Sequence, residues 1–541
     1  MQKWVRSTLV AVISSAVVLS GCSGLDVESD SAKKVEGEQK LTLTTTQDIV
    51  TLDVSKAIDT STFNALDNTM EGLMRINQDG KPVKAIAESV EISEDKKKYT
   101  FHLRDAKWHD GEEITAQDFE YSWERTLDPK TGGEYSYIFD SILNAKEYRT
   151  EEANKEDVGI VSIDDKTLQV QLNEPIPYFL DLMAFPSFYP QRKEFVEKYG
   201  EEYGQSAESV AYNGPFVLSE WNKNEFYRMK KNDTYWDRNV VSIEEARVNV
   251  LKKTSDGVKQ YMSDKADVAQ LSQSFTSAFN QTKEYITVTK ATTSYLNFNT
   301  KNKYLQNQNV RKALSAAIDR EAWSEKVLKD GSEPAGGLIP PTIFISGQPF
   351  RDYPIQIFEP VEAKSSLKEG LRELNTSEKP TFTLLVSDDD TTRKKAVFLR
   401  EQWEKYLGIT VNVKAVPSKV RYKLEGEGAF DVSLMGWIGD YNDPMTFLEL
   451  FQMDNELNYG KWMNERYHNL VEESKSTTDY EKRANDLREA ERILLEEAAI
   501  ATLDYGKEAY VEKSYVKDIA RYAFGSDFSL KWAYIDRSED E

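Results

Sequence analysis

The sequence predicts an α/β protein with mixed sheets divided into two or more lobes, and three observations carry that prediction. Short stretches of period-two apolar alternation recur along the chain, as strands require. Between them lie segments whose apolar residues fall on one face at helical spacing, so strands and helices interleave rather than segregate. The 541 residues also exceed what a single core is expected to fill, and no internal repeat of fixed period breaks them into equal units.

The first element is not part of that fold. Lys3 and Arg6 are the only charges before Cys22, and Leu9 to Leu19 is an apolar run with two serines, too short to span a membrane as a mature helix. Leu19-Ser20-Gly21-Cys22 follows directly and resembles the lipobox of bacterial export signals. There, small residues admit the peptidase and the thiol receives diacylglyceryl before cleavage. Residues 1–22 are therefore expected to be a signal peptide, with Cys22 lipidated and the mature chain held on the extracellular face of the cell membrane. Cys22 is also the only cysteine, so no disulfide supports the fold. Ser23 to Lys40 has the polar composition of a solvated tether, and folding is expected to begin near Leu41.

Beyond the tether, Tyr99 to Arg104 alternates as a strand, and His109-Asp110-Gly111-Glu112 marks the turn that ends it. Thr115 to Asp118 starts a helix whose one face carries Phe119, Trp123 and Leu127. Strands are expected at 166–172, 216–218, 226–230 and 247–250. Helical stripes cover Asn309 to Asp319 and Ala396 to Leu407, the latter capped by the acidic turn Asp388-Asp389-Asp390. Ile409 to Val416 returns to strand, and Asp479 to Glu497 is a long amphipathic helix.

Composition narrows the function. With 69 Lys plus Arg against 92 Asp plus Glu, the net charge is −23, a field that repels nucleic acid. Three histidines, His102, His109 and His468, are scattered, and no HExxH, CxxC pair or GxSxG occurs. Asp388 to Asp390 lacks the glycine and terminal glutamate of a calcium loop. No metal, cofactor or catalytic residue is expected, and the chain reads as a non-enzyme.

Several blocks together resemble one family. Ala87-Glu88-Ser89, Tyr99 to Gly111 and Thr115 to Phe119 are followed by Glu174-Pro175-Ile176-Pro177-Tyr178-Phe179 and Tyr212-Asn213-Gly214-Pro215-Phe216. Tyr235-Trp236, Asn309 to Leu314 and Gly436-Trp437-Ile438-Gly439-Asp440-Tyr441-Asn442-Asp443-Pro444 complete the order. The set is similar to the oligopeptide and dipeptide substrate-binding lipoproteins of ABC importers, family 5 of the extracellular solute-binding proteins, from Leu41 to Tyr534. The resemblance implies a periplasmic-binding-protein-like fold of type II (cluster C) with three lobes. Lobe I is expected from 23–70, 192–291 and 507–541, lobe II from 71–191 and lobe III from 292–506, with a ligand cleft between two of them. It further implies a monomer that binds oligopeptides and hands them to permease and ATPase subunits. Nutrient peptides and peptide signals such as pheromones both fit. A non-peptide solute such as a nickel chelate is the alternative ligand; a secreted hydrolase is the alternative class, lacking a nucleophile and base that can be paired.

The resemblance also assigns a site. Asp440 matches the aspartate that grips a peptide's α-amino group, and a buried ammonium needs such a carboxylate. The backbones of Gly436, Trp437 and Ile438 and of Ile58, Asp59 and Thr60 would pair with the ligand as an added strand. Tyr135, Asn297 and Tyr505 fall on positions placed around the cleft. Asp443 reads instead as a turn residue capping a helix that opens at Pro444. One departure stands out: Leu434 occupies the position where some members carry a basic residue for the ligand's carboxylate. Lys419, Arg421 or Lys423 could substitute, although solvated side chains are expected there.

Overall fold

The computed structural model describes residues 37–345, 348–351, 353–477 and 479–538. Cys22, the export segment and nearly all of the expected tether lie outside the described residues. Regular structure begins with β1 (Lys40–Thr45), whose Leu41 and Leu43 are buried, and α1 (Thr60–Thr69) follows.

A separate antiparallel layer comes next. It contains β2 (Ala87–Ile92), β3 (Lys98–Leu103), β4 (Ile160–Asp164) and β5 (Thr167–Gln171) in the order β2-β3-β5-β4. Its buried face is covered by α2 (Ala116–Leu127), which begins where the sequence places it, with Thr115 and Asp118 forming a capping box. Phe119 and Trp123 are fully buried on that helix, and the Trp123 indole donates to the Phe188 carbonyl at 2.9 Å.

The chain then enters a mixed sheet of eleven strands among the described residues. One half uses β6 (Phe216–Asn222), β7 (Phe226–Lys231), β8 (Glu245–Val250) and β9 (Val268–Gln270) together with β1. The long β10 (Tyr285–Phe298) leaves that half for the other. There α3 (Gln308–Ala316), α4 (Pro360–Glu373), β11 (Thr381–Ser387), α5 (Asp390–Leu407), β12 (Thr410–Val416), α6 (Ser418–Gly426) and β13 (Val432–Ile438) alternate. Finally α7 (Glu465–Ser476), α8 (Tyr480–Glu496) and β14 (Ile500–Glu512) close the fold, and β14 runs back beside β10. The sheet order is β12-β11-β13-β10-β14-β9-β1-β8-β7-β6, and the eleventh strand, Glu333–Pro334, pairs with β14 off this path.

Only β10 and β14 span both halves. Their ladder is regular at Tyr285–Thr289 and again at Tyr295–Asn297, with register shifts between Thr289 and Thr293 and between Ser294 and Tyr295. Opposite the first of these stands Gly506, where a Cβ would meet that of Thr292 at 3.2 Å. A bulge of this kind bends and twists a ladder without ending it, so the two half-sheets stay joined along one shared pair of strands. The cores divide only in part: one large cluster holds the antiparallel layer and much of the first half-sheet and continues through Leu338, Tyr441, Tyr467 and Leu487, a second centres on Leu296, Leu314, Trp323, Leu384 and Trp403, and a small third joins Val258, Tyr261 and Val511.

Two expectations need adjustment. The helix expected to reach Asp319 ends at Ala316, because Asp319 instead caps the next turn, accepting from the Ala322 N–H at 2.9 Å. The helix expected to open at Pro444 spans only Met445–Leu448.

Candidate functional site: an open strand edge ending in a carboxylate

The strand β13 has two different sides. Toward β10 it is paired along its whole length, from Phe298↔Val432 to Thr292↔Ile438. Toward β11 it is paired only at Val432 and Ser433. Gly439 donates its N–H to Ala291 on β10 at 2.7 Å. Since backbone polar groups alternate sides along a strand, those of Gly436 and Ile438 point to the side that β11 leaves open. Gly436 is exposed and Ile438 is 59 % exposed. An open edge of this type accepts an extended peptide as one more strand.

Asp440 stands just past the end of that edge. Its backbone N–H donates to the Thr446 hydroxyl at 3.2 Å, and the Trp437 indole reaches the same oxygen at 3.4 Å, which fixes the strand's last turn. Gly439 makes the turn possible, since a Cβ there would lie 3.1 Å from the Phe447 ring. The carboxylate faces the antiparallel layer, where Tyr135 and Tyr137 sit on one 3-10 turn (Glu134–Phe139). Their hydroxyls donate to Oδ1 and Oδ2 at 3.3 and 3.4 Å, long for O–H···O contacts. The two rings stack at 5.8 Å, and Phe63 of α1 packs edge-on against Tyr135 at 6.0 Å. Burial pushes the Asp440 carboxyl up to about 6, with the tyrosine hydroxyls and Thr446 pulling it back. Both phenols are pushed up in turn by burial and by Asp440. No lysine or arginine pairs with this carboxylate among the described residues.

The other expected residues are placed less uniformly. Asp59 caps α1, accepting from the Thr62 N–H at 2.9 Å and from the Ser61 hydroxyl. Thr60 is the first helical residue, and Ile58 precedes the cap with 44 % exposure. Asn297 is buried in β10, its amide donating to the Met435 sulfur at 3.5 Å. Tyr505 lies in β14, two strands from Trp437 through Thr293, and its hydroxyl is shared by Gly337 at 3.0 Å and Arg351 at 2.6 Å. Asn297 is thus bonded within the sheet and Tyr505 to the segment Gly337–Arg351, and neither is gathered with Asp440. Arg421 differs from the expected solvated side chain: it is buried, pairs with Glu425 at 2.6 Å and donates to the Leu434 carbonyl at 3.3 Å.

Residues that sequence reasoning passed over complete the surroundings. Tyr178 of the antiparallel layer stacks on Tyr441 at 4.6 Å, and the buried Arg483 of α8 forms a bidentate pair with Asp443 at 2.8 Å on both oxygens. Only Tyr137 left a local signal, as the second tyrosine of Glu134-Tyr135-Ser136-Tyr137. Arg483 lies forty positions from its partner, and nothing near it in sequence announces the pair. A cavity of about 1390 Å³ runs from Ile76 and Asp181 to Arg483 and Tyr522, and reaches Asn442 beside Asp440.

Two half-sheets joined by paired strands, with an unpaired carboxylate at the end of an open edge, define a solute-binding protein of the periplasmic-binding-protein type II class. The chain belongs to the bacterial extracellular solute-binding proteins, family 5, whose model matches residues 81–458. It is 30 % identical to the dipeptide-binding protein DppE of Bacillus subtilis, over 95 % of this chain and 96 % of that one. Among solved structures, Listeria monocytogenes OppA bound to peptide superposes with a TM-score of 0.75 at 36 % identity, covering 92 % of this chain and 99 % of that one. The pheromone receptor PrgZ superposes with a TM-score of 0.77 at 33 % identity, covering 92 % and 100 %. The family and these relatives are solute-binding proteins, not enzymes.

Proposed function

We propose that this protein is a lipid-anchored extracytoplasmic receptor that binds oligopeptides in its cleft and delivers them to a membrane ABC importer. The observation that carries this reading is the pairing of an open strand edge with a carboxylate that no cation among the described residues neutralises. Gly436 and Ile438 offer donors and acceptors at alternate positions, as any peptide backbone requires regardless of its sequence. Asp440 meets the terminal ammonium, and Tyr135 and Tyr137 hold the carboxylate in place. Ile58, Asp59 and Thr60 face the ligand from the other side. The relatives named as dipeptide-, oligopeptide- and pheromone-binding support a peptide ligand.

The lobe division given above is retained, with β10 and β14 as the connection between lobes I and III. Cys22 would carry the acyl chains on the outer face of the cell membrane, and confinement there raises the effective concentration of the receptor at its permease. The receptor acts as a monomer.

Calorimetry with a free tripeptide and its N-acetylated form tests the reading: the free peptide binds and the acetylated one does not. Equal affinities would overturn the amino-end assignment. Mass spectrometry of what co-purifies with protein lacking residues 1–22 separates nutrient uptake, which gives a broad peptide mixture, from signalling, which gives a narrow one.

A further inference from the structure

Behind Asp440 lies a second, much smaller cavity of about 30 Å³, lined by Asp67, Asp181, Asp440, Tyr441, Tyr522 and Ser526 among others. Its size suits one water molecule or one primary ammonium. Of the three carboxylates around so small a space, Asp440 and Asp181 have no cationic partner among the described residues, and Asp67 has only a long contact to Arg75. Among the described residues Asp181 has no side-chain hydrogen-bond or ion-pair partner on another residue, and burial together with the charge of Asp443 pushes it up to about 7. Asp67 is buried on α1; Oδ1 accepts from the Tyr189 hydroxyl at 2.9 Å, while Oδ2 makes no hydrogen bond. The cation nearest that oxygen, Arg75, stands 3.7 Å away and is committed to Glu71 at 2.7 Å. A buried carboxylate oxygen left without a donor costs free energy that an incoming ammonium would recover.

We propose that this cavity is a specificity subsite for the side-chain ammonium of a lysine-like first residue of the peptide, received by Asp181 and Asp67 while Asp440 holds the α-amino group. This rests on the peptide-binding reading of Asp440. The cavity shares Asp440 with the amino-end site, so a first residue anchored there has its own side chain beside the opening. It also shares Ile76, Asp181, Asn442, Tyr522 and Phe524 with the 1390 Å³ cavity, which supplies an approach. A guanidinium is wider than an ammonium and planar, so arginine fits this space less well than lysine.

The test is calorimetry with Lys-Ala-Ala and norleucine-Ala-Ala, whose first side chains match in length and differ in charge. The wild-type protein should bind the lysine peptide about tenfold or more tightly. In Asp181→Asn, and independently in Asp181→Ser, the ratio of the two affinities should fall to about two or less. Equal affinities in the wild type, or a preference that survives both substitutions, would overturn the subsite and leave the amino-end site standing. Binding of neither peptide would instead overturn the peptide-binding reading itself.

Discussion

Asp440 and Asp443 occupy the same loop, three residues apart, and the protein treats them in opposite ways. Asp443 is buried and completed from inside: Arg483 meets both its oxygens, and Met445 donates its N–H at 2.9 Å. Asp440 is given two hydroxyls at long range and no cation among the described residues. On the proposed reading of Asp440 as the amino-end carboxylate, a structural and a binding carboxylate differ less in burial than in where the counter-charge comes from. The first has its partner in the chain, and the second is left to find one in the ligand.

Removing the internal partner is the strongest way to break this contrast. Arg483→Met leaves the buried Asp443 carboxylate without its cation and should destabilise the protein by about 3–5 kcal/mol in urea denaturation. The double variant Arg483→Met with Asp443→Leu should recover most of that loss, because it removes both charges. A single variant as stable as the wild type would mean that Asp443 finds another donor, and the two aspartates would no longer be opposites.

Asp440→Asn should act in two directions. Peptide affinity should fall by about 2–5 kcal/mol in calorimetry, since a buried ammonium loses its counter-charge. Stability of the ligand-free protein should rise by about 1–3 kcal/mol, because the substitution removes a carboxylate that burial disfavours. An asparagine variant that binds normally would show that the counter-charge lies elsewhere.

The pH dependence follows from the same shift. In the folded protein Asp440 titrates at about 6, against 3.8 for the unshifted group, so the folded state holds the extra proton between those values. The stability cost of this group is absent below about pH 4 and fully present above about pH 6. Binding runs the other way, since the ammonium needs the ionised carboxylate: affinity should weaken about tenfold per pH unit below 6. Asp181 and Glu449, each pushed up to about 7, titrate nearby. The comparison with Asp440→Asn isolates the one group, and a variant whose binding keeps the wild-type pH slope would assign that slope to the other two.

How far the sequence anticipates this depends on the range of each interaction. Local rules placed the start of α2 at Thr115–Asp118, β12 within Ile409–Val416, the acidic turn that caps α5, and α8 as an amphipathic helix from Asp479. The resemblance picked out Asp440. What stayed hidden is non-local. The resemblance marks Gly436–Ile438 as a ladder partner but cannot say that β11 pairs with only two residues of β13. Asp443 reads locally as a turn residue, and only the folded chain brings Arg483 to it. Asp181 sits in the short helix Phe179–Leu182 like any polar residue, and its lack of a side-chain partner among the described residues exists only in three dimensions.

The smallest expected effect sharpens the comparison from the side of the hydroxyls. If Tyr137 merely crowds Asp440, then Tyr137→Phe should leave the carboxyl titration where it is. A hydroxyl donating at 3.4 Å favours the ionised form weakly, so its loss should raise the Asp440 titration midpoint by less than about one pH unit. Carboxyl-carbon NMR of the ligand-free protein reads that midpoint directly. Peptide affinity at pH 8, where the group is ionised in either case, should change by only about 0.5–1.5 kcal/mol. A loss as large as that in Asp440→Asn would make Tyr137 a ligand contact in its own right, and the carboxylate would then share the task of gripping the amino group instead of performing it alone.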